Sequence, residues 1–95
     1  MNTLSTNLPR SPDSVSVARR LVNGHTTSLG AQQREDAVLM VSELVTNAVV
    51  HGVGAISLRI DVEADAVRIE VADDWGVLEG STKVWFRLRQ PPPQT

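Results

Sequence analysis

The hydrophobic period of this chain changes at Gly52, and that switch limits the possible folds more than any other feature. From about residue 31 to 51, apolar residues recur at helical spacing. Ala37, Val41, Leu44, Val45 and Ala48 make one stripe, and Val38, Leu39, Met40, Val49 and Val50 widen it. A helix apolar over most of its circumference is expected to be mostly buried. Beyond Gly52 and Gly54 the period falls to two. Ile56, Leu58, Ile60 and Val62 alternate with Ser57, Arg59, Asp61 and Glu63. After a turn at Ala64-Asp65, Val67, Ile69 and Val71 alternate with Arg68, Glu70 and Ala72. That pattern predicts an antiparallel hairpin with one buried face.

The rest of the chain fits around these two elements. Residues 1–11 are polar and read as a flexible arm or an edge strand. Val15, Ala18, Leu21 and Val22 mark a first helix over about 13–23, with Asn23-Gly24 as its stop. Residues 73–82 are rich in turn formers. Val84, Phe86 and Leu88 then alternate with Lys83, Trp85, Arg87 and Arg89 in a last strand. Its charges suit a protected edge, with a partner-binding or base-stacking surface as the alternative. Residues 90–95, with three consecutive prolines, read as a disordered tail. Helices followed by strands predict an α+β two-layer sandwich: two helices on a mainly antiparallel sheet of three to five strands, in a single domain over 12–89.

Composition removes several function classes. The chain has 95 residues and no cysteine, which excludes thiol catalysis, thiolate metal sites and disulfide scaffolding. A net charge of −2 argues against direct nucleic-acid binding. Arg19-Arg20 is too short for a phosphate-binding patch and reads as a solvated helix face. No apolar run is long enough to cross a membrane, and residues 1–12 lack the apolar segment of a signal peptide, so a cytoplasmic location is expected.

The chemistry resides in the second helix. Glu43, Asn47 and His51 are four residues apart and stack on one face. A carboxylate and an amide oxygen are hard ligands that suit Mg²⁺ with retained waters, and the carboxylate can also act as a general base. The same three residues would equally make the polar stripe that any surface helix carries.

The string Ser42-Glu43-Leu44-Val45-Thr46-Asn47-Ala48-Val49-Val50-His51-Gly52 resembles the N box of the GHKL ATPases, which include gyrase, heat-shock protein 90, histidine kinases and MutL. Within them the chain is most similar to the anti-sigma-factor serine kinases and small ATP-binding regulators of actinobacteria. Val15–Val22 is similar to that group's first helix, and Lys83–Leu88 to its closing hairpin. The resemblance implies the histidine kinase-like ATPase fold in shortened form. It implies an ATP-binding regulatory protein with ATP-dependent serine/threonine kinase activity toward a protein substrate. Glu43 would be the catalytic base, Asn47 the Mg²⁺ ligand, and Asp73 the acceptor for the adenine amino group, with Gly76 nearby in the cofactor site. ATP and Mg²⁺ would be the cofactors, and a sigma factor or an anti-anti-sigma protein the partner.

The sequence also departs from that pattern. The family's Asp-x-Gly-x-Gly motif is represented by Asp73-Asp74-Trp75-Gly76, so a tryptophan stands where the first glycine belongs. Between Asp73 and the last strand there is no room for a lid, a second glycine box or its helix. Phosphate contacts would be lost and nucleotide binding weakened. Apolar surface on the second helix or the sheet would be uncovered, favouring dimerisation or partner docking. The alternative function is therefore a non-catalytic interaction module on a degenerate ATPase fold.

Overall fold

A computed structural model describes residues 2–74 and 81–89. The elements run β1 (Asn2–Leu8), α1 (Asp13–His25), α2 (Ala31–His51), β2 (Ile56–Val62), β3 (Ala66–Asp74) and β4 (Ser81–Arg89). The strands form one antiparallel sheet in the order β1-β2-β3-β4, with both helices on one face. This is the expected α+β sandwich. Residues 2–8 form its first edge strand. The predicted tail at 90–95 lies outside the described residues.

Strand register explains how the core forms. Side chains alternate across a strand, so paired residues of equal parity line up on one face. The rows Leu4-Ile60-Ile69-Phe86 and Thr6-Leu58-Val71-Val84 cross the helix-covered face. Ile56, Leu58, Ile60, Val67, Ile69 and Val71 are buried there. The helices answer with short side chains at spacings of three and four: Ala18 and Val22 from α1, and Ala37, Val41, Val45 and Ala48 from α2. Small residues at these positions let the helices lie close to a sheet of branched side chains.

Among the described residues, only one side of α2 is covered. Leu39 is 60% exposed, Met40 38% and Val50 63%. The expectation of a mostly buried α2 is corrected here. The sheet lies on one side of the helix and α1 flanks it, so nothing among the described residues covers the remaining apolar flank.

Helix ends follow local chemistry. Helix α1 passes the predicted stop at Asn23-Gly24 and ends at His25. The buried Thr26 hydroxyl donates to the Val22 carbonyl at 2.8 Å, and His25 Nδ1 lies 2.7 Å from the Leu21 carbonyl. Side chains thus satisfy last-turn carbonyls without a left-handed glycine. Helix α2 begins after Gly30, whose N–H donates to the Gln33 side-chain carbonyl at 3.4 Å. It ends at His51, and the N–H of the following Gly52 donates to the Ala48 carbonyl at 2.8 Å.

The other sheet face is charged. Arg59 meets Asp61 at 3.1 Å, Arg68 approaches Asp61 and Glu70 at 3.8 and 3.6 Å, and Lys83 lies 3.9 Å from Glu70. Arg87 holds Glu63 through two bonds of 3.1 and 2.9 Å. The Arg68 guanidinium sits 4.7 Å above the Trp85 ring. Burial works to raise the pKa of the Asp61 carboxyl. The Thr3 and Arg59 hydrogen bonds, with the charges of Arg59 and Arg68, outweigh it and hold the group below its ordinary value.

Candidate functional site

Strand β3 is longer than its alternation suggests. It continues through Ala72 and Asp73 to Asp74, pairing with Lys83, Thr82 and Ser81 of β4. The turn-rich reading of 73–82 is corrected at 73–74 and 81–82, which are strand, and residues 75–80 lie outside the described residues. Asp73 shares parity with Val67, Ile69 and Val71, so it emerges on the helix-covered face, and it is only 8% exposed. A carboxylate at the end of a buried hydrophobic row is costly unless partnered or put to use.

Across from Asp73 lies the last part of α2. Between them is a cavity of about 370 Å³. Leu44, Ala48, Val71 and Val84 form its apolar walls, and Asn47, His51 and Asp73 its polar groups. Helix and strand thus bring Asn47 and Asp73 together from distant points in the sequence. His51 joins them because it follows Asn47 by four residues on one helix face. Sequence reasoning assigned His51 no definite role; its spacing was the available signal.

Glu43 lies elsewhere. It is exposed and lines an adjoining groove of about 310 Å³ with Ser42, Thr46 and Asn47. Asn47 borders both spaces. All three side chains are exposed, but the expected row is divided: Asn47 and His51 line the cavity, and Glu43, one turn back, lines only the adjoining groove. Gly76 lies outside the described residues.

The sequence profile of the histidine kinase-like ATPase domain family matches residues 8–84. The chain belongs to this family. The match runs from the end of β1 to Val84 in β4 and includes the whole cavity. No curated protein matches the chain.

Membership raises the question of fit to a magnesium nucleotide. The cavity suits a flat ring: it has apolar walls, and a buried carboxylate stands at one end. Fit to the metal is thinner. Among the described residues, no cluster of three histidine, aspartate or glutamate side chains could hold a metal ion. Asn47 offers one amide oxygen beside the cavity. Mg²⁺ needs little more from a protein when phosphates and waters supply its remaining oxygens. No described helix is long and apolar enough to cross a membrane.

Proposed function

We propose that this histidine kinase-like ATPase domain is an ATP-binding regulatory protein of the anti-sigma-factor kinase kind, with a weakened hold on phosphate. The observation that carries this reading is the convergence of Asn47 from α2 and Asp73 from β3 on one cavity. Asp73 would accept a hydrogen bond from the adenine amino group, while Leu44, Ala48, Val71 and Val84 cover the ring faces. Asn47 would give one oxygen to Mg²⁺. Bound Mg-ATP would supply the transferable phosphoryl group and the charge neutralisation it needs. Glu43, exposed in the adjoining groove, would take the proton from a serine hydroxyl of a partner protein arriving from solvent. A sigma factor or an anti-anti-sigma protein is the proposed partner, and a cytoplasmic location goes with that role.

Titration calorimetry with Mg-ATP tests the reading, using wild type and Asn47→Ala. Wild type should bind, and the variant should bind at least about tenfold more weakly, equal to 1.4 kcal/mol. Absence of binding to wild type at millimolar Mg-ATP would refute it. The exposed Leu39, Val50 and Val53 favour a second reading, a non-catalytic module that acts by docking or dimerisation. In that case Glu43→Gln would leave partner regulation intact.

A further inference from the structure

Among the described residues, none of the nine lysines and arginines of the chain lines the cavity between α2 and β3, and its basic group is the His51 imidazole. Arg59, Arg68, Lys83 and Arg87 lie on the opposite sheet face, paired with Asp61, Glu70 and Glu63, and Arg89 shares the parity of Lys83 and Arg87 at the far end of β4. Arg19, Arg20 and Arg34 line grooves between α1 and α2. Arg10 donates to the Val49 carbonyl at 3.4 Å, in the last turn of α2, and is not part of the cavity lining. Residues 75–80 and 90–95 contain no lysine or arginine in the sequence.

Three features bring negative charge toward the cavity. Asn47, Ala48 and His51 belong to the end of α2, where the helix dipole amounts to about −0.5 charge. The Asp73 carboxylate stands opposite, and Glu43 is one turn away. With no lysine or arginine in the described lining, the cavity lacks the cations that usually hold phosphate. The apolar walls and the volume, near the lower end of the roughly 300–1,000 Å³ of ligand pockets, suit a ring system with few polar groups.

We propose that the cavity selects its ligand by the purine base, so that neutral adenosine binds about as tightly as Mg-ATP. This rests on the adenine reading of Asp73 and gives that site its ligand class. Asn47 supplies only one of the oxygens that Mg²⁺ requires. The ion therefore offsets phosphate charge without adding net grip.

Titration of the full chain with adenosine, AMP, ADP, Mg-ATP and guanosine tests this. Adenosine and Mg-ATP should agree within about threefold, a difference below the tenfold given by 1.4 kcal/mol. Guanosine should bind more weakly than adenosine. Asp73→Ala should weaken adenosine and Mg-ATP by the same factor, whereas Asn47→Ala should weaken Mg-ATP more. Val84→Phe, on an edge strand where Val84 is 39% exposed, should fill the cavity and remove both ligands with circular dichroism unchanged. Mg-ATP binding at least tenfold tighter than adenosine would overturn the proposal while leaving the adenine reading in place. Adenosine binding no better than guanosine would overturn it too. If no adenine compound binds wild type, both fail together.

Discussion

Val45 and Val50 belong to one helix and offer the same truncation in opposite environments. Val45 is fully buried and Val50 is 63% exposed. Replacing Val45 by alanine removes two methyl groups from the core, about 1.6 kcal/mol at ~0.8 kcal/mol per group. Incomplete collapse of the space adds about 1 kcal/mol. The better helix propensity of alanine returns about 0.5 kcal/mol. Val45→Ala should therefore destabilise by about 2 kcal/mol. In a domain of this size that lowers Tm by roughly 8–16 °C, taking about 4–8 °C per kcal/mol. Val50→Ala gains the same propensity and loses almost no burial, so it should be neutral or stabilising by up to about 0.5 kcal/mol. Urea unfolding followed by circular dichroism at low protein concentration reads both, with unchanged m-values. Equal effects, or Val50→Ala as the costlier change, would refute the assignment of the buried side of α2.

Thr26→Val keeps the shape of a buried side chain but removes its 2.8 Å bond to the Val22 carbonyl, and should cost about 1–3 kcal/mol by thermal unfolding. A cost near zero would show that another donor serves that carbonyl. Asp61 has a folded-state pKa below its unfolded value, so its contribution is complete above about pH 4 and is lost as pH falls through the lower folded value. Unfolding midpoints measured between pH 6 and pH 2 should therefore fall more steeply for wild type than for Asp61→Asn; parallel curves would contradict this. Arg87→Ala removes a two-bonded but partly exposed pair with Glu63 and should cost no more than about 1 kcal/mol. A larger loss in urea unfolding would mean that the outer sheet face is less solvated than its exposure suggests.

Much of the fold was legible because period alone separates a helix from a hairpin. The limits of α2 follow from its stripe and from Gly52. The stripe read from the sequence contains all four buried residues of α2; what did not follow is that Leu39, Met40 and Val50, which widen it, stay exposed. The sheet meets the side of α2 that carries Ala37, Val41, Val45 and Ala48 and leaves the widened flank open. At the end of α1, Asn23-Gly24 was the obvious stop, yet the side chains of His25 and Thr26 cap the helix farther on. Asp73-Asp74 has poor strand propensity and read as turn; pairing with β4 overrides that local preference.

The candidate site was only partly legible, and helix geometry gives the reason. Residues four apart stack on one face, but each step also climbs about 6 Å along the axis. Glu43, Asn47 and His51 therefore form a column extending over about 12 Å. The cavity beside Asp73 takes in Asn47 and His51 but not Glu43, which borders a separate groove. Sequence spacing can predict the column but not where along it a strand from elsewhere in the chain will end. The division has a chemical consequence. A ligand seated against Asp73 reaches Asn47 before it reaches Glu43, and Glu43 is open to solvent. Proton transfer through Glu43 would thus require a hydroxyl brought in from outside the cavity. Glu43→Gln should accordingly leave nucleotide affinity unchanged while lowering phosphotransfer to a partner by about 100-fold or more, the usual scale of general-base catalysis. Equal loss of both would place Glu43 against the bound nucleotide and refute the division of the column.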